Sequence, residues 1–280
     1  MSLVLALTAA VAYGSADYVG GIAARRAPAV SVALAAQMVG LVLVLAALPF
    51  VGAEVSGRAV AAGAAAGIFG GLGLRTLLLA LARGPMSVVA PTTALSAAVV
   101  PIGFGLALGD RPTGLTLAGI AVSLGAVVLI TRERPVPGAA HASARGVLGL
   151  ALGGGAIFGT FFVFLHQAGP DAGLVPLVAA RCTSIPVLAL LAHRAGQDLR
   201  PRTLFAAPGV AVSGALDMAA NIAYLFALRH GMLAVVSAVT CLYPASTVAL
   251  AQTHLRERLE APQLAGMGVA ALAALMIALS

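Results

Sequence analysis

The chain is a near-unbroken succession of apolar runs, each long enough to cross a bilayer, and this limits its fold more than any single motif does. A hydrocarbon core about 30 Å thick takes about 20 helical residues at 1.5 Å rise each. Runs bounded by charge, proline or glycine predict ten helices: Ser2–Ala24, Ala29–Gly52, Arg58–Ala82, Pro85–Leu108, Pro112–Thr131, Arg145–Ala168, Ala172–His193, Thr203–Leu228, Met232–Leu255 and Ala261–Leu279. With 61% apolar and 9% charged residues, the chain has more apolar surface than a soluble domain buries. The expected class is an all-α integral membrane protein, which excludes a soluble enzyme, a secreted domain and a nucleic-acid-binding protein. The formal charge of +7 does not revive the last of these, because the basic residues, all arginine, stand singly or in twos between the runs.

The longest break, Arg132 to Ala144, holds two prolines, a glycine and three charges near the middle of the chain. It separates two similar halves, residues 1–134 and 145–280. A shift of 147 lays Gly84–Ile130 on Gly231–Ile277 without a gap, matching Gly84 with Gly231, Thr93 with Thr240, Arg111 with Arg258 and Gly119 with Gly266. Nearer the start of each half, Tyr13-Gly14-Ser15 matches Phe158-Gly159-Thr160, and Ala35-Ala36-Gln37 matches Ala179-Ala180-Arg181. Five spans per half is an odd number, so the halves are expected to be inverted repeats. Loops after odd-numbered helices carry eleven arginines against three after even ones, which places the odd loops in the cytoplasm and the termini outside. Nothing basic precedes the first apolar run, so it reads as a span and not as a cleaved signal.

Proline has two uses here. Pro28, Pro85, Pro112, Pro170 and Pro262 fall at or just before helix starts, whereas Pro91, Pro101, Pro176, Pro186, Pro208 and Pro244 fall within expected spans and predict kinks. Cys182 and Cys241 lie inside apolar runs with no metal-ligand spacing, and no histidine has a metal partner at spacing. No metal or cofactor is expected. The chain has no GxxxxGK[ST] stretch for nucleotide, so a gradient, with proton coupling one candidate, or facilitated flux would drive any transport.

Charge at membrane depth costs about 3 kcal/mol on insertion scales and calls for a partner or a function. Counting residues inward from shared faces puts Asp17 level with Arg75, and Arg181 level with Asp217. Both are expected ion pairs, serving either as static clips between helices or as part of a site. Ser213, Asp217, Asn221 and Tyr224 share one helical face, as do Tyr13, Asp17, Gly20 and Gly21. Tyr13, Asp17, Gln37, Arg75, Arg181, Asp217, Asn221 and Tyr224 are therefore the candidate substrate-binding residues, in a small-molecule site between the halves. Thr240, Tyr243 and Thr247 form a further stripe, expected to bond backbone or a neighbouring helix.

Leu108-Gly109-Asp110-Arg111-Pro112 and Leu255-Arg256-Glu257-Arg258-Leu259 resemble the Gly-Glu-Arg-Leu turn of the EamA-like family in the drug/metabolite transporter superfamily. Ala80-Leu81-Ala82-Arg83-Gly84 and Ala227-Leu228-Arg229-His230-Gly231 fit the same pattern, with Pro244 and the aromatic-Gly-Ser opening at Tyr13. The resemblance implies ten helices in two inverted five-helix halves around a cavity. It implies alternating-access transport of a small metabolite, with export of an amino acid or related compound across the cytoplasmic membrane as the expected role. It also implies cytoplasmic termini, against the arginine count. Asp110 departs from the family's glutamate, Arg75 lies in a span that is generally apolar, and Pro244 has Ala97 as its repeat counterpart. A membrane enzyme, or a structural subunit, is the alternative; no acid/base or metal constellation near an interface favours the enzyme.

Overall fold

The computed structural model describes residues 1–51, 54–130, 144–255 and 261–279. The central break from Arg132 to Ser143, with His141, and the turn Arg256–Glu260 lie outside the described residues. The elements are α1 (Ser2–Ala24), α2 (Ala29–Ala47) with a 3-10 turn at Leu48–Phe50, α3 (Gly57–Arg83), α4 (Met86–Ala107), α5 (Gly114–Ile130) and α6 (Ala144–Gln167). After a 3-10 turn at Pro170–Ala172 follow α7 (Val175–Arg194), the short α8 (Pro201–Leu204), α9 (Val210–Leu228), α10 (Leu233–Thr240), α11 (Pro244–Leu255) and α12 (Ala261–Ala278). Among the described residues every regular element is helical. Among the described residues, eight helical segments are long and apolar enough to cross a membrane, and α5 and α12 contain shorter apolar stretches, Gly114–Ala126 and Leu264–Ile277. The chain is a multi-pass membrane protein.

Two expected spans are interrupted. Met232–Leu255 is not one helix: α10 stops at Thr240 and α11 starts at Pro244. Proline has no N–H to offer the Thr240 carbonyl, which instead accepts from Tyr243 N at 3.1 Å, closing a tighter i to i+3 turn. Thr203–Leu228 is likewise broken around Pro208, with Gly209 at φ +85° leading into α9. Pro91 and Pro101 in α4 and Pro186 in α7 are carried inside continuous helices, whereas Pro176 sits in the first turn of α7, where its missing donor is harmless. At the other helix starts Pro28 and Pro85 occupy the N-cap, and Ser56 caps α3 by accepting from Ala59 N at 3.1 Å.

The largest interfaces join one half of the chain to the other. α1 packs on α9 and α3 on α6; α2 on α9 and α3 on α7; α1 on α11 and α4 on α6; α5 on α12. When the repeat halves are exchanged, the two contacts of each pair become one another and the α5–α12 contact maps onto itself. The core is accordingly shared: one cluster of buried residues includes Ala9 and Tyr13 of α1, Phe162 of α6, Leu177 of α7 and Tyr224 of α9. On α3, Gly63, Gly67 and Gly71 fall one turn apart and meet Pro176, Ala180 and Ser184 of α7 at the same spacing. A Cβ added at Gly67 would lie 2.2 Å from the Ala180 carbonyl oxygen, so here backbone packs directly on backbone.

Candidate functional site

Three features of α9 set up the site. Its buried apolar residues pack on the neighbouring helices, its first turn starts from Gly209, and residues 213, 217, 221 and 224 project from one face into the junction of the halves. All four are buried. Ser213 Oγ donates to the Ala16 carbonyl of α1 at 3.0 Å, fixing the register of α1 against α9. One turn on, Asp217 Oδ2 accepts from Arg181 Nη2 of α7 at 2.7 Å, the only salt bridge among the described residues. Asn221 Nδ2 donates to the Asp217 carbonyl at 2.7 Å and to its Oδ2 at 3.2 Å, while its Oδ1 accepts from the Tyr13 hydroxyl of α1 at 3.0 Å. The Tyr224 hydroxyl shares a 2.8 Å hydrogen bond with Ser237 Oγ of α10.

Arg181 is 3% exposed and Asp217 6%, so the pair is removed from water. Arg181 Nη1 donates to Gln37 Oε1 of α2, and its Nε is buried without an acceptor. Gly40 is what admits the guanidinium: a Cβ there would lie 2.9 Å from Arg181 Nε and 3.1 Å from Met218 Cε. Gln37 and Arg181 are repeat counterparts that touch across the junction of the halves. The guanidinium is thereby a clasp, holding α2 of the first half and α9 of the second. Replacing such a pair by apolar groups is often neutral, but removing one partner alone costs about 3–5 kcal/mol because the other charge is left buried.

Seven of the eight residues singled out from sequence are therefore buried in one region: Tyr13, Asp17, Gln37, Arg181, Asp217, Asn221 and Tyr224. Arg75 is not brought into this network. The expected Asp17–Arg75 pair does not form, and Arg75 is half-buried with no carboxylate in ion-pair range among the described residues. The two are at matching depth, since Gly20 and Gly21 of α1 face Leu78 and Leu81 of α3. The face that α3 buries, however, is Leu74, Leu77, Leu78 and Leu81, and Arg75 projects about 100° away from Leu74. Asp17 is left buried with no hydrogen-bond or ion-pair partner among the described residues.

Aromatic residues that the polar pattern did not single out wall the site. Tyr13 meets Phe158 edge-on at 6.4 Å between centroids, Phe162 at 5.9 Å and Tyr243 at 6.5 Å, and Phe162 packs on Tyr224 at 4.4 Å. The repeat held the signal for two of them: Phe158 is the counterpart of Tyr13, and Phe162 that of Asp17. The stripe on the ninth span divides as its chemistry suggests. Thr247 Oγ1 donates to the Gly14 carbonyl at 3.0 Å and the Tyr243 hydroxyl to Ala90 O at 3.5 Å, whereas Thr240 Oγ1 and its counterpart Thr93 Oγ1 are buried without partners among the described residues. Among the described residues no group of three His, Cys, Asp or Glu side chains could hold a metal.

The sequence profile of the EamA-like transporter family matches residues 1–132 and 145–279. A solved protein crystal structure is similar over 99% of this chain and 96% of its own length, with a TM-score of 0.71 and 17% identity, a likeness of fold alone. No curated protein matches in sequence.

Proposed function

Because the chain belongs to the EamA-like transporter family, a family of membrane transporters, we propose that it is a secondary transporter working by alternating access. Its substrate in this reading is a small polar metabolite, an amino acid or related compound, exported across the cytoplasmic membrane. The observation that carries the reading is the Gln37–Arg181–Asp217 clasp, which joins helices from both halves at mid-helix. Charge at that depth suits a site that opens to alternate sides and is costly elsewhere.

In the proposed topology the halves, residues 1–134 and 145–280, are inverted five-span repeats, and α5 and α12 complete ten spans. At 17 and 18 residues these two helices reach about 26 Å, close to the hydrocarbon thickness. They are repeat counterparts, yet Gly119 of α5 packs against Ile277 of α12, and Ala126 shares a small cluster with Val269, so they run antiparallel. Antiparallel counterparts support a two-fold axis perpendicular to the helices, hence in the membrane plane. The proposed site comprises Tyr13, Asp17, Gln37, Arg181, Asp217, Asn221 and Tyr224, with Arg75 at its edge. Release of the clasp separates the halves, and a proton or the substrate compensates the freed charges.

The test is Asp217→Asn, with membrane abundance and amino-acid flux measured on the same proteoliposomes. A working clasp gives lost flux per molecule, at whatever abundance remains once Arg181 is left unpaired. If the abundance of Asp217→Asn falls while flux per molecule stays normal, the pair is a static clip and the site reading fails. The double variant Arg181→Gln/Asp217→Asn removes both charges and should recover abundance without recovering flux.

A further inference from the structure

Three ionisable side chains of opposite sign meet in the central cluster, and their connections are unequal. Arg181 gives Nη1 to Gln37 and Nη2 to Asp217, and the tight approach of Gly40 and Met218 closes off its Nε. No edge of the guanidinium is open to an incoming anion in this state. Asp217 is engaged by Arg181 and Asn221. Asp17, 7% exposed in the middle of α1, has neither a hydrogen bond nor an ion pair among the described residues. The charged group within its electrostatic reach is Asp217 on α9, of like sign. Hydroxyls beside it are committed to backbone: Ser213 to Ala16 O and Thr247 to Gly14 O. The cluster thus holds one cation against two carboxylates.

What surrounds Asp17 also has a definite chemistry. Tyr13, one turn earlier on α1, gathers Phe158, Phe162 and Tyr243 around it, and Tyr243 is itself within electrostatic reach of Asp17. A lone buried carboxylate one helical turn from an aromatic cluster is suited to an ammonium group, which gains charge pairing there with aromatic rings nearby. Resting on the transporter reading, we infer that Asp17 is the receptor for the protonated amine of the transported molecule. The substrate is then an organic ammonium or a zwitterion recognised first at its amine end, while Arg181 holds the halves together. Asp17 is only 7% exposed, so entry of the amine requires the helices to part.

The chain offers its own reporter. It has no tryptophan and four tyrosines, of which Tyr13, Tyr224 and Tyr243 belong to this cluster, so intrinsic tyrosine emission reads the site directly. Purified protein is titrated with n-butylammonium, tetramethylammonium and butyrate at fixed pH and ionic strength. The expected result is saturable change with at least one ammonium probe and none with butyrate. Asp17→Asn should weaken the ammonium probe at least tenfold without lowering the thermal midpoint, because no partner is lost, and Asp17→Glu should retain binding. Failure of both ammonium probes, equal affinity in Asp17→Asn, or saturable butyrate binding would overturn the inference. Flux of the bound probe in proteoliposomes separates the two readings: Asp17-dependent binding without flux leaves the receptor standing and removes the transporter, whereas flux unchanged in Asp17→Asn removes the receptor alone.

Discussion

Gly67→Ala tests whether backbone-on-backbone packing between α3 and α7 positions the clasp. The new Cβ would stand 2.2 Å from the Ala180 carbonyl oxygen and 2.8 Å from its Cα, where ordinary contact begins at 3.4 Å. The obstacle is main chain in the middle of a 20-residue helix, so no rotamer relieves it, and the helices must separate by about 1 Å. Overpacking of this kind costs about 1–3 kcal/mol, against about 0.5–1 kcal/mol gained from replacing glycine by alanine within a helix. Because the contact is rigid, the penalty wins. Arg181 follows Ala180 directly, and a shift of about 1 Å would stretch the 2.7 Å bond to Asp217 beyond hydrogen-bonding range. Gly67→Ala should therefore lower both the thermal midpoint, followed by tyrosine emission in detergent, and flux per molecule. Gly103→Ala, on α4 with open space around the added Cβ, should leave the midpoint unchanged or raise it slightly. A Gly67→Ala protein as stable as Gly103→Ala, with normal flux, would refute the argument that this interface sets the site.

Two further outcomes are expected. Asp110 Oδ2 accepts from Ala234 N at 3.0 Å, so a carboxylate at the end of α4 caps the first turn of α10 in the other half; Asp110→Ala should cost about 1 kcal/mol, read as a lower thermal midpoint, while Asp110→Asn retains most of it. In a background lacking Cys182 and Cys241, single cysteines at the exposed Val55 and Ala195 should label from opposite sides of intact cells. Labelling of Val55→Cys alone by an impermeant reagent supports cytoplasmic odd loops, as the arginine count predicts; labelling of Ala195→Cys alone supports cytoplasmic termini.

Depth was legible in the sequence and azimuth only in part. Counting 1.5 Å per residue from a shared face set Arg181 level with Asp217 and Asp17 level with Arg75, but only the first pair forms. The difference lies in which face each helix buries. The polar period of α9 marks the Asp217 face unambiguously, whereas Arg75 sits in a run of glycines and leucines with a single threonine and the sequence does not say which of them turn inward. The prolines show the same limit. Pro91, Pro101, Pro186 and Pro244 give one local signal, yet only at Pro244 does the chain break its span, and neighbouring helices decide whether a freed carbonyl can be satisfied otherwise. The Gly63, Gly67, Gly71 spacing is visible as a stripe of small residues, but its partner stripe at Pro176, Ala180 and Ser184 is a tertiary fact.

The repeat carries more than fold, because its broken symmetry shows where the chemistry is. Exchange of the halves maps Gln37 onto Arg181, Tyr13 onto Phe158 and Asp17 onto Phe162. In each pair one member is polar or charged where the other is neutral or aromatic, and all six lie at the junction where the halves meet. Two halves that only had to pack would do so with like residues on both sides of the axis, at less desolvation cost. At the junction Tyr13 of the first half instead meets Phe158 and Phe162 of the second, and Gln37 of the first meets Arg181 of the second. In the proposed reading, the uncharged residues that break the symmetry, such as Gln37, Phe158 and Phe162, are the ones whose substitution should alter selectivity before it alters stability.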